Sequence, residues 1–140
     1  MIWRVPQTIF TPPSGNCLSA CVASLLRRPL WTVPNFAVAG YDSRPIPQWW
    51  DRLGRFGTRE GLWFVQLAGK HPGECWGVTI QDRPVLAIAT IESPNGDWLH
   101  CVVGDMRRGI VVHDPNRRNP QDGKPLERIE DWIVPVGAPQ

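Results

Sequence analysis

Trp98-Leu99-His100-Cys101-Val102-Val103-Gly104-Asp105-Met106-Arg107-Arg108-Gly109-Ile110-Val111-Val112-His113-Asp114-Pro115 reads as two strands joined by a short turn. Residues 98–104 and 109–114 are rich in β-branched residues, and Asp105 to Arg108 supplies the turn, so the segment is an antiparallel hairpin. Side chains alternate across a strand, which groups His100 with Val102 and Gly104, and Leu99 with Cys101 and Val103. His100 and Asp114 are 14 residues apart. That spacing brings them together on neighbouring strands, with the carboxylate in reach of the imidazole. His113 and Asp114 are adjacent and must face opposite ways; Asp114 is expected inward and His113 outward.

Outward from the hairpin, the rest of the chain falls into place. Residues 84–91 form a nearly continuous apolar run, as in a central buried strand. Residues 61–67 and 132–136 are shorter strand candidates. Upstream, residues 17–28 make a helix that is apolar on most sides and stopped by Pro29. Ser14, Gly15 and Asn16 offer capping chemistry at its start. Residues 46–56 form a second helix, with Ile46, Trp49, Trp50, Leu53 and Phe56 in one stripe and Pro47 in its first turn. Residues 30–36 read as a turn or short helical segment, and 40–45 as a loop. Residues 2–10 are an extended arm ending in a Pro12-Pro13 turn. Helices first and an antiparallel sheet after them is an α+β layout, and 140 residues suit a single domain over 1–140.

Composition narrows the function. Fifteen basic and 13 acidic residues leave a net charge of +2, which does not argue for a nucleic-acid partner. The Arg107-Arg108 and Arg117-Arg118 pairs read as solvated loop charges. No apolar run approaches the roughly 20 residues that span a bilayer, and residues 1–10 lack the apolar stretch of a signal peptide, so the expected setting is the cytoplasm, without a membrane partner. The four cysteines are then expected as free thiols. Eight tryptophans are many for this length. Exposed ones around Trp49-Trp50 would mark a surface for homo-oligomer formation.

Cys17, at the start of the first helix after a Gly-Asn turn, carries the chemistry. Backbone N–H groups and the positive end of the helix dipole favour its thiolate, the reactive form. Cys21, one turn further in, reads as packing. The chain order Cys17, His100, Asp114 is that of a nucleophile, a general base and an orienting carboxylate. Cys17 and Cys21 lack the second ligand pair of a zinc site, and no phosphate-binding glycine loop is present, so no metal or cofactor is expected. His71 reads as a solvated loop residue. The Ser93-Pro94-Asn95-Gly96-Asp97-Trp98 segment before His100 reads as a substrate lip, although its composition also suffices for a plain turn. With Asn16 it would supply groove residues Asn16, Ser93, Asn95 and Trp98.

These pieces resemble the papain-like cysteine peptidases, in particular the compact branch of bacteriocin-processing, double-glycine-cleaving enzymes. The matching residues are Gln7, Asn16-Cys17-Leu18-Ser19-Ala20-Cys21, His100-Cys101-Val102-Val103 and Asp114-Pro115. Gln7 lies further from the cysteine than the family's glutamine does, and Leu18 stands where that branch has glycine. The chain is also similar to small proteins of bacteriophages and bacteria with a Gly-Asn-Cys-Leu-x-Ala-Cys motif. The resemblance implies a cysteine helix packed on a sheet that bears His and Asp. It implies hydrolysis of a peptide or isopeptide bond in a protein or peptide substrate, with oxyanion donors from Gln7 and the Cys17 backbone. Two other functions share the residue set: acyl transfer of the transglutaminase type, and a non-catalytic, phage-encoded binding or inhibitor protein on the same fold.

Overall fold

The computed structural model describes residues 2–10, 15–37, 47–68, 85–94, 96 and 98–137. The expected Pro12-Pro13 turn, the 40–45 loop, Ile46, His71 and Asn95 lie outside these. The elements run α1 (Cys17–Leu26), a 3₁₀ turn (Leu30–Thr32), α2 (Gln48–Glu60), β1 (Trp63–Ala68), β2 (Leu86–Glu92), β3 (Leu99–Asp105), β4 (Ile110–His113) and β5 (Ile129–Val136). The protein is α+β. The five strands among the described residues form one sheet in the order β1-β5-β2-β3-β4, and every neighbouring pair is antiparallel.

Alternation along the strands gives the sheet two apolar faces. Ile88, Val103 and Ile133 face the helices and pack with Cys21, Val22, Ala23, Val33, Phe36, Leu53 and Phe56. Their sequence neighbours Ala87, Ala89, Val102 and Trp132 face the other way and pack with Met106, Val111, Leu126 and Ile129. The expected separation of Val102 from Cys101 and Val103 is therefore present. β2 is the middle strand of the five, as its continuous apolar run requires.

Several boundaries move, each for a local reason. α1 stops at Leu26 because Pro29 disfavours helical geometry at Arg28. Arg27 turns left-handed (φ 53°), and the Arg28 N–H closes on the Ala23 carbonyl at 2.9 Å. α2 begins after Pro47, which takes the capping position, and runs on to Glu60. Gly61 (φ 72°) ends it in the left-handed conformation, and Leu62 N–H bonds the Gly57 carbonyl at 2.8 Å. β5 starts at Ile129, three residues before the expected 132.

The tryptophans differ from expectation. Trp49 and Trp50 are half-buried, lie edge to face with centroids 5.5 Å apart, and pack on the helix-side core. A stripe at spacings of three and four on an amphipathic helix turns toward the core, so this pair is no exposed patch. Among the described residues, the exposed indoles are those of Trp3, Trp31, Trp63 and Trp98. Among the described residues, no helix is long and apolar enough to cross a membrane.

Candidate active site

The start of α1 is built by the N-terminal arm. Asn16 occupies the cap position without a side-chain capping bond. Its amide instead clamps the arm: Oδ1 accepts from the N–H groups of Thr8 and Ile9, both at 2.9 Å, and Nδ2 donates to Thr8 Oγ1 at 2.9 Å. The helix-capping expected of residues 14–16 thus takes another form at Asn16, since its side chain is committed to the arm. The Asn16 side chain thus leaves the first-turn N–H groups of α1, which a cap normally engages, without its amide.

Cys17 is the first residue of α1, and it meets the beginning of β3. Its Sγ accepts the Cys101 N–H at 3.4 Å. The side chains of Cys101 and His100 both hydrogen-bond to it. His100 is buried, and its Nε2 lies 2.7 Å from Asp114 Oδ1. A carboxylate only accepts, so Nε2 carries the proton and Nδ1 is the ring nitrogen left for the thiol. Asp114 is itself fixed. Oδ1 accepts from Asn116 N–H at 2.9 Å and Oδ2 from Gln121 N–H at 3.1 Å. Its own N–H donates to Asp122 Oδ1 at 2.7 Å, and Arg117 bridges the Asp114 carbonyl and Asp122 Oδ2.

This geometry sets the charges. The Cys101 thiol donating to Cys17 is the strongest influence on it. Burial opposes, but the hydrogen bond and charge of His100 and the Cys101 N–H together hold Cys17 well below the ordinary thiol range. For His100, burial disfavours the charge, yet the bonds to Asp114 and Cys17 and their negative charges raise the ring to about 9. Both shifts favour the thiolate–imidazolium pair over the neutral one. Cys21 is pushed the other way, chiefly by burial, and stays an unreactive thiol in the core.

The remaining candidate residues fall as follows. Gln7 is buried, its N–H on the Pro115 carbonyl at 3.0 Å. Its Nε2 donates to the Ile9 carbonyl at 3.0 Å, and its Oε1 is buried without a partner. His113 does point away from Asp114, but not into solvent: it is fully buried, with Nε2 2.8 Å from the Val5 carbonyl, because the arm covers that side of β4. Asn16 lines a groove of about 440 Å³ with Thr8, Ser19, Leu30, Trp31, Val33 and Asn35. Ser93 and Trp98 line other concavities. Ser93 N–H bonds the Trp98 carbonyl at 2.8 Å.

The sequence reading missed Cys101 and the loop that grips Asp114. Alternation placed Cys101 opposite His100, and the face it occupies is the one α1 covers. The loop had a signal: Asp114, Asn116 and Asp122 are residues whose side chains bond nearby backbone N–H groups. A direct test of the grip is Asp114→Ala. His100 would lose its largest favourable partner while burial still opposes its charge. The ring titration seen by NMR is expected to fall from about 9 to below 7; an unmoved titration would mean that Cys17 alone sustains it.

Comparison of the chain with protein-family models, with curated proteins and with solved structures gives no match.

Proposed function

We propose that this chain is a papain-like cysteine hydrolase that cleaves a peptide or isopeptide bond through Cys17, His100 and Asp114. The observation that carries the reading is the buried His100 ring, bonded on one side to the Cys17 thiol and on the other, at 2.7 Å, to a carboxylate gripped by two backbone N–H groups. A structural histidine needs one partner for its proton; this one is oriented at both nitrogens toward an ionised thiol.

The steps follow from the charges. The Cys17 thiolate attacks the carbonyl carbon. The N–H of Cys17, at a helix start where Asn16 makes no side-chain cap, stabilises the oxyanion. The His100 imidazolium gives its proton to the leaving amine, which leaves a thioester on Cys17. His100, now neutral, takes a proton from water as it attacks the thioester, and the acid departs. Asp114 keeps the Nε2 proton in place throughout. The groove beside Asn16, with Trp31, Leu30 and Val33 in its wall, offers apolar surface for substrate side chains. Free thiols at Cys17, Cys21 and Cys101 suit a reducing compartment such as the cytoplasm.

The test is covalent trapping with peptide p-nitrophenyl esters followed by mass spectrometry. The wild-type protein is expected to carry an acyl group on Cys17 that hydroxylamine removes, and Cys17→Ser to carry none. If Cys17 alkylates rapidly yet no ester of a varied panel acylates it, the hydrolase reading fails.

A further inference from the structure

Cys101 forms no bond in the steps above, yet it touches the nucleophile directly. Its N–H donates to Cys17 Sγ at 3.4 Å, and its thiol is hydrogen-bonded to the same sulfur. Across the β2–β3 ladder it faces Thr90, whose side chain bonds the Cys101 thiol from the other side. Both cysteines are half-buried rather than sealed in the core, unlike Cys21. We propose that Cys101 is a resolving cysteine, which captures Cys17 as an intramolecular disulfide after a hydroperoxide has oxidised it.

The chemistry balances in two steps. The Cys17 thiolate attacks the outer oxygen of the hydroperoxide. An S–O bond forms, the O–O bond breaks, and the alkoxide or hydroxide takes a proton and leaves; sulfur is oxidised by two electrons and the peroxide reduced. The Cys101 sulfur then attacks the sulfenic sulfur. An S–S bond forms, the S–O bond breaks, and the departing hydroxide takes the Cys101 proton as water. In the resting protein the Cys17 thiolate accepts the Cys101 proton and holds it on, with burial adding to the effect. Oxidation to a neutral sulfenic acid removes that charge and frees Cys101 to react. The nucleophile is thereby parked in a form that thiols reverse, ahead of the irreversible sulfinic acid.

The inference rests on Cys17 being an activated thiolate, and the experiment separates the two. The full chain is treated with hydrogen peroxide, then divided with and without dithiothreitol, labelled with iodoacetamide and digested without reduction. The expected result is a peptide joining Cys17 to Cys101, two hydrogens lighter than its parts, with Cys17 labelling lost and then restored by dithiothreitol. In Cys101→Ser the loss should become irreversible, with two oxygens added at Cys17. If that variant does not fold, the digest of the wild-type protein decides alone. Linkage of Cys17 to Cys21 or Cys75, or sulfinic acid at Cys17 with Cys101 still free, overturns the inference but leaves a rapidly labelling Cys17 intact. Labelling of untreated Cys17 no faster than that of free cysteine would remove both.

Discussion

His100→Ala is expected to slow the alkylation of Cys17 by iodoacetamide at pH 7 on the order of tenfold, and by more at lower pH. In the wild-type protein Cys17 sits well below the ordinary thiol range, so its thiolate is present at neutrality and is lost only when the pH falls through that lowered value. His100, raised to about 9, remains the imidazolium that sustains it until the pH rises past about 9. Labelling of the wild type should therefore stay rapid from about neutral pH upward. Without the imidazolium, burial and the remaining Cys101 contacts act alone. The inflection then moves up, though the Cys101 hydrogen bonds still hold it below the ordinary thiol range, and below it the rate drops tenfold per pH unit. Cys21, in the core, should stay unlabelled in both proteins. Identical profiles for the two would show that Cys101 alone activates the thiol, and the triad reading would fall.

The largest loss of stability is expected from Trp132→Ala. Trp132 is fully buried near the middle of β5, packed over Gly104 of β3 on the face away from the helices. A Cβ at Gly104 would come within 3.0 Å of the indole and 2.8 Å of Leu126, so the ring already fills the space above that glycine. Its removal leaves a cavity that the surrounding sheet cannot collapse to fill, at a cost of about 3–5 kcal/mol. That is a large part of the roughly 5–15 kcal/mol of a typical domain. It should lower the melting temperature by on the order of 10–20 °C in a scan by circular dichroism. Trp31→Ala, at an indole 86% exposed, should shift it by no more than about 2 °C. Equal shifts for the two would mean that the second face contributes little to stability.

Much of this arrangement can be read from residue order. The apolar run at 84–91 and the 14-residue interval between His100 and Asp114 identify the middle strand and the hairpin because burial and pairing leave direct marks on sequence. The Gly-Asn turn before Cys17 likewise marks a helix start. What escaped had no such mark. The last turn of α2, residues 57–60, carries Gly57, Thr58 and a single arginine, Arg59, poor or neutral helix signals, and is held by Phe56 in the core and the turn at Gly61. The front of β5 holds Glu130 and Asp131, which break an apolar pattern that pairing with β1 and β2 overrides. Asn16 was read as a local cap, but its partners are eight and seven residues back in the arm. Cys101 acts through contact with a residue 84 positions away, a distance no local pattern encodes.

The strand order also dictates a sequence of events during synthesis. β5, the last of the described strands in chain order, is not at an edge; it lies between β1 and β2 and supplies Ile133 to one core and Trp132 to the other. The β3–β4 hairpin that carries His100 and Asp114 can close as soon as it leaves the ribosome, since its contacts are local. The sheet as a whole cannot. Until residue 136 is free, β1 and β2 lack their common neighbour β5, which pairs with both. Such a topology has a high contact order and should fold slowly. The nascent chain is then exposed to edge-to-edge association until its last strand inserts, the interval in which chaperone capture would matter most.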